Sequence, residues 1–366
     1  MHLPTTLPTM PIAKPGSPLK PDFDISIDGV PLPAQVDPYI AAVTIDSDTE
    51  LPSMFAIELT GAETQQEEIP WIDDRNLFEI GKVVEIKLGY AGDVETLIVG
   101  EIASLEPEFA FNRKPSFTVR GYDRRYRLQR GQKNQTFLRQ KDSDIAAQIA
   151  RQAGLTAQTT DSQIVHDYVI QAGQTDMEFL IERAYRIGYE VLVENKTLIF
   201  RPIANHQSPI LTLNLDQDLL EFYPRLSMAE QVSEAIVRGW NVKEKTAIVG
   251  RASKSDVNGM MGGQTTGAEI VASKFGATVG LSQDQPVMSQ AEADLLARSK
   301  LDRSTLELIT GEGICWGRTD LRPGKVIKID GIGKRFSGQY YVTTAIHRYT
   351  SSDGYQTRFT VRRNAS

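Results

Sequence analysis

Cysteine is almost absent: Cys315 is the only one in 366 residues. A single thiol excludes an intrachain disulfide and the paired-cysteine spacings of structural zinc and redox sites. Histidine is scarce as well. His2, His166, His206 and His347 lie far apart, with no HxxxH or HExxH pair to hold a metal. Nowhere does the chain run to the roughly 20 apolar residues of a membrane helix, so membrane insertion is not expected. The phosphate-cradling patterns GxGxxG and GxxxxGK[ST] are missing, and the nearest approach, GEGICWG at 311–317, lacks the lysine. Net positive charge is missing too. Forty Lys and Arg against 47 Asp and Glu leave −7, which argues against a surface built to hold polyphosphate. The first residues, MHLPTTLPTMPIAKPG, have no basic start and no unbroken apolar segment, so no secretory signal is expected and a bacterial cytoplasm is the expected place of assembly. No cofactor and no metal are expected.

The residues that are present describe a globular protein: 40% hydrophobic, 24% charged, with a mean hydropathy of −0.28. A chain this long exceeds one ordinary core, so two to four domains are expected. Residues 1–22 are crowded with prolines and read as an extended tail. Runs such as FDISI, YIAAVTI, MFAIEL, VVEIKL, TLIVGEI and SFTVRGY make 23–125 all-β. From about residue 126 to 225 the pattern turns α/β. DSDIAAQIARQAGL is a helix with an Asp or Ser cap and Gly154 at its end, and TDMEFLIERAYRIG is a second, with Met177, Leu180, Ile181 and Ala184 on one face. YEVLV and KTLIF then form a hairpin about Asn195. Strand patterns resume over 226–249 and again over 308–366. Between them, 250–307 holds a Gly- and Ser-rich stretch and a helix opened by the capping box Ser289–Glu292. In the last hairpin Tyr340, Val342, Thr344 and Ile346 share one face, as do Tyr355, Thr357, Phe359 and Val361.

One pair of phrases occurs twice. GKVVEI at 81–86 is followed by FTVRG at 117–121, and GKVIKI at 324–329 by FTVRR at 359–363. Gly81 precedes Phe117 by 36 positions and Gly324 precedes Phe359 by 35. The matched order predicts a duplicated antiparallel β-domain, so the fold class is mainly β with α+β insertions. Val83, Ile86, Phe117 and Val119 are the expected core of the first copy. Val326, Ile329, Tyr355, Phe359 and Val361 are the expected core of the second.

Longer segments carry a family resemblance. Residues 142–155, 174–202 and 321–364 resemble the baseplate hub family: the late control D proteins of contractile phage tails and the amino-terminal half of the VgrG spikes of type VI secretion. The most specific pieces are Thr175-Asp176 with Phe179-Leu180 leading to Gly188-Tyr189-Glu190, and Phe336-Ser337-Gly338 with Tyr340-Tyr341-Val342 and His347. The resemblance implies two tail-tube-like barrels, 23–125 and 226–249 with 308–366, and two modules outside them, 126–225 and 250–307. It also implies a homotrimer whose six barrels adapt a six-fold inner tube above to a three-fold spike below. The expected partners are the tube, a spike on a separate polypeptide, other baseplate proteins and a cargo effector. The proline-rich start has no counterpart in that family.

Two other readings belong to different classes. A β-rich hydrolase would use Cys315 with His347, or a carboxylate pair, although no spacing singles out such a pair. A nucleic-acid-binding module would use RGYDRRYRLQRGQK at 120–133, where arginines interleave with Tyr122 and Tyr126. The structural reading instead assigns Arg120, Arg124, Arg125 and Arg127 to carboxylates on a neighbouring subunit or to the lumen, together with Gln356, Arg358 and Arg362. It assigns no catalytic residue.

Overall fold

The computed structural model describes residues 20–61, 71–72, 74–111, 113–241, 244–257, 259–282 and 286–366. The expected proline-rich tail lies mostly outside them, and Pro21 and Asp22 already belong to the first strand.

The first unit is built from β1 (Pro21–Ile27), β2 (Val30–Pro31), β3 (Ile40–Asp48), β4 (Met54–Thr60), β5 (Val83–Tyr90), β6 (Asp93–Glu108) and β7 (Ser116–Asp123). Alternate residues of these strands point inward, and Ile25, Val43, Phe55, Ile86, Phe117 and Val119 meet in one core. An α/β module follows: α1 (Arg125–Leu128), β8 (Lys133–Lys141), α2 (Asp142–Gln152), β9 (Thr156–Thr159), β10 (Val165–Gln174), α3 (Asp176–Arg186), β11 (Tyr189–Glu194) and β12 (Thr197–Pro202). Its core joins Ile145, Ile149, Met177 and Leu180 of the helices to Phe137, Val191 and Phe200 of the strands. Ile181 of the expected stripe stays half-exposed.

The chain then enters a second β unit with β13 (Thr212–Asn214) and β14 (Leu219–Leu226). It leaves this unit for an insert of β15 (Glu234–Asn241), β16 (Thr246–Ser253), α4 (Gly267–Lys274), β17 (Val279–Ser282) and α5 (Gln290–Leu306). It returns with β18 (Ile309–Trp316), β19 (Val326–Asp330), β20 (Gly338–Thr350) and β21 (Gly354–Arg363). The insert begins and ends on adjacent strands, with Leu226 directly opposite Ile309. The β13 and β14 ends of this sheet are four residues apart, with a bridge between Leu215 and Leu219, so the sheet curls onto itself around Leu213, Ile329, Tyr340, Phe359 and Val361.

The placement of 226–249 in the second barrel is corrected here. β15 and β16 pair with each other and with β17, and their apolar faces pack on Leu296, Ala297 and Leu301 of α5. The second barrel takes its early strands from 212–226 instead.

The two β units share one topology. Neighbour order in the first is β1-β5-β6-β7-β4-β3, and in the second β13-β19-β20-β21-β18-β14. Ranked by sequence, both orders are the same. Local irregularities recur too. The ladder shifts between Ile102 and Ser104 in β6 and between Val342 and Thr344 in β20, and again between Ile40 and Ala42 in β3 and between Leu219 and Glu221 in β14. Only the first strands differ in direction, since β1 runs antiparallel to β5 and β13 parallel to β19. The repeated GKV is in register. Gly81 N–H donates to Ile102 O (2.8 Å) and Gly324 N–H to Val342 O (2.9 Å), while Ile102 and Val342 donate back to Lys82 and Lys325, each at 2.9 Å. The second phrase is not in register. Val119 faces Leu105 where Phe359 faces Ala345, so Phe117 corresponds to Thr357 and the FTVR match is displaced by two residues.

Three core assignments also change. Val83 is half-buried and faces outward, because Val84, Ile86 and Leu88 take the inner face of β5. Val326, its counterpart, is buried outside the barrel against Ala204, Met261 and Leu306. Tyr355 is buried in the core of the first barrel, not the second. The bulge at Thr343 reverses the phase of β20. Tyr340 and Val342 face inward, but beyond it Ala345 and His347 do so, leaving Thr344 and Ile346 outside.

Candidate assembly site

The two barrels join along β3 and the carboxyl-terminal half of β20, antiparallel, with Thr344 opposite Asp48 and Thr350 opposite Ala42. β20 holds β19 on this same edge only as far as Tyr341, so the rest of the edge is free to take β3. One continuous sheet of 13 strands results.

Side chains lock the junction. Tyr349 packs on Phe23 with ring centroids 5.0 Å apart, and Tyr355 lies 5.8 Å from Tyr90. The Tyr355 hydroxyl lies 2.8 Å from His347 Nδ1. Thr344 Oγ1 donates to Asp48 (2.7 Å), and Arg322 donates to the carbonyl of Thr96 (2.7 Å). Burial, reinforced by Arg322, pushes His347 down to about 3, so the imidazole is neutral. Cys315 is fully buried, and burial pushes its thiol up, away from the thiolate a nucleophile requires.

The basic stretch 120–133 is absorbed by its own chain. Arg120 Nε pairs with Glu106 (3.2 Å), while Arg127 and Arg124 flank Glu101 at 2.7 and 4.0 Å. Tyr122 and Tyr126 stack on each other at 4.8 Å, and Lys133 pairs with Asp176 (2.6 Å). Arg125 is 1% exposed. Its guanidinium donates to the carbonyls of Asp48 (3.1 Å), Thr49 (3.0 Å), Leu51 and Val191, clamping the end of β3 and the α/β module together. Arg125 is therefore enclosed by its own chain, and the carboxylates met by Arg120, Arg124 and Arg127 are intrachain. Arg362 pairs with Glu307 (2.7 Å) beside a cavity of about 500 Å³ between the barrels and both modules. Arg358 is exposed and Gln356 half-buried on the outer face of β21.

The modules dock on each other through charge. His166 on β10 contacts Asp142 (3.1 Å) at the start of α2 and Glu292 (2.7 Å) on α5. Glu292 is thus not a full capping box. It accepts from Met288 N–H, while Ser289 accepts from Glu292 N–H. Among the described residues no group of three or more His, Cys, Asp and Glu could hold a metal ion, and no helix is long and apolar enough to cross a membrane.

Sequence reasoning missed the surfaces that matter most here. These are the outer edge of β14, which ends the sheet, and the far half of β6, which beyond Ile102 pairs only with β7 among the described residues. Pro107 and Pro224 were the available signals, since proline within a strand pattern marks an edge.

A family model described as the Alg8 N-terminal domain matches residues 20–351. No curated protein matches by sequence. By structure the chain is similar to the 43 kDa tail protein of prophage MuSo2 from Shewanella oneidensis, with a TM-score of 0.69, 13% identity, and 94% of this chain and 98% of that one covered. It is similar to the tail protein from Neisseria meningitidis MC58, with 0.67, 14%, and 94% and 97%. It is also similar to an E. coli component of the type VI secretion system that itself resembles T4 bacteriophage tail proteins, with 0.59, 14%, and 93% and 77%. At these identities the likeness is one of fold: the β-rich fold with helical insertions expected from the sequence is shared with these tail and type VI secretion proteins.

Proposed function

Since the chain belongs to the Alg8 N-terminal domain family, we propose that it is a structural hub of a phage tail or contractile injection particle, adapting a six-fold inner tube to a three-fold spike. One observation carries this reading: a single chain holds two barrels of the same topology, joined edge to edge through β3 and β20. In this reading the same junction, repeated between chains, closes a ring of six barrels from three chains and covers the exposed edges of β6 and β14. Its mechanism is geometric: the ring seats the tube on one side and the spike on the other, and any cargo effector travels with the spike. Catalysis has no part in it. The tube, a spike and other baseplate proteins are its proposed partners.

Light scattering on the purified chain, alone and with its spike, tests the ring. The expected hub mass is about 122 kDa, three chains of 40.6 kDa. A monomer or dimer in both conditions overturns the reading.

A further inference from the structure

The shared topology locates the surface through which one copy of the chain meets the next. In each barrel the bulge fixes the correspondence: Ser104 of β6 stands where Thr344 stands in β20, and Ser227, following β14, stands where Asp48 stands in β3. Within the chain, β3 fills the open edge of β20. Among the described residues, the corresponding edge of β6 beyond Ile102, and the outer edge of β14 beyond Leu219, have no strand partner.

Carrying the β3–β20 register onto these edges sets Leu105 opposite Leu226, Glu106 opposite Arg225 and Phe109 opposite Phe222. Apolar residues meet apolar ones, and acid meets base. Phe109 is 72% exposed and Phe111, two residues on, is 94% exposed. Phe109 corresponds to Tyr349, which inside the chain packs on Phe23 of the adjoining barrel. Two large aromatic side chains at a strand end otherwise carry a solvation cost with no return.

Pro107 and Pro224 fall opposite each other. Their counterparts are His347 and Ile45, and the bond from Thr49 N–H to Thr343 O (3.0 Å) places that pair at a backbone-bonded position. Neither proline has an N–H, so the ladder breaks in the middle of the edge.

We propose that the outer edge of β14 docks on residues 104–109, the end of β6 and the residue after it, in the next copy. Phe109 and Phe111 insert at the mouth of the neighbour's second barrel, and the facing prolines keep the contact dependent on side chains. The edges therefore do not zip onto any passing strand by backbone bonds alone. The proposal rests on the ring reading and specifies its contact.

Glu106 and Arg225 fall at a position without backbone bonds, where opposed Cα atoms are about 4.5 Å apart, within disulfide reach. The full-length double variant E106C/R225C should give covalent dimers and trimers on mild oxidation, because buried Cys315 does not compete. The pair E106C/Y223C, two residues out of register, should not. A trimer by light scattering without E106C/R225C cross-links, or with cross-links only in the control pair, overturns the junction and leaves the ring standing. A particle that is not a trimer overturns both. Restoring the donors with P107V/P224V should slow dissociation of the trimer about tenfold, and unchanged dissociation overturns the role given to the prolines.

Discussion

Arg125 and Arg127 are two residues apart and do different things. The first is enclosed and satisfies four carbonyls from two segments, with Asp123 beside it. The second is more than half exposed and pairs with Glu101 at the surface. Arg125→Met leaves those carbonyls and the buried Asp123 carboxylate without their cation, so it should cost about 3–5 kcal/mol in urea unfolding. Arg127→Met should cost less than about 1 kcal/mol. Equal effects would mean that the clamp contributes nothing. The sequence displayed these arginines as one basic patch, because charge is a property of residue type whereas burial depends on where β7 ends. Cys315 and His347, each isolated in sequence, are both sealed into barrel walls.

At the scale of strands and turns, the repeat was legible wherever the backbone demanded a residue type. Gly81 and Gly324 both have positive φ, +90° and +78°, where a side chain is disfavoured, and both send an N–H to the neighbouring strand. Their surroundings differ. A Cβ at Gly81 would meet nothing within 4 Å, but one at Gly324 would lie 2.8 Å from Leu192 Cδ1 and 3.0 Å from Arg201 Nη2. Gly81→Ala should thus cost about 1 kcal/mol for its backbone alone. Gly324→Ala should cost at least about 1 kcal/mol more, read as a larger drop in urea midpoint at unchanged slope. The FTVR phrase misled by two residues because an even displacement keeps every side chain on the same face, so the hydrophobic pattern cannot detect it. Bulges were illegible for a related reason: the extra residue at Thr343 leaves the composition of β20 unchanged while reversing its phase.

Over the whole molecule, the α/β module and the insert are held together by a titratable contact. Burial opposes a charge on His166, but its hydrogen bonds to Asp142 and Glu292 prevail and raise it from 6.5 to about 9. A group raised on folding stabilises most below its unfolded value, so this contribution is complete below about pH 6.5 and is lost as pH climbs through about 9. Asp142 and Glu292 are each opposed by burial as well, yet His166 and the nearby arginines hold both low, so their share fades as pH falls through the acidic range. Amide exchange in α5 should therefore rise between pH 7 and 9.5 beyond its intrinsic pH dependence, and His166→Gln should remove that excess. An excess that survives in the variant would assign it to another group. None of this was visible in sequence, where His166 and Glu292 stand 126 positions apart.

Leu226 and Ile309 face each other across two neighbouring strands, with the whole insert hung between them. In evolutionary terms that pair is a socket. Material added there leaves the wall and returns to it one strand spacing away, about 5 Å, so its size imposes little strain on the barrel. Lineages could enlarge, exchange or discard what projects at this point while the barrels keep their geometry.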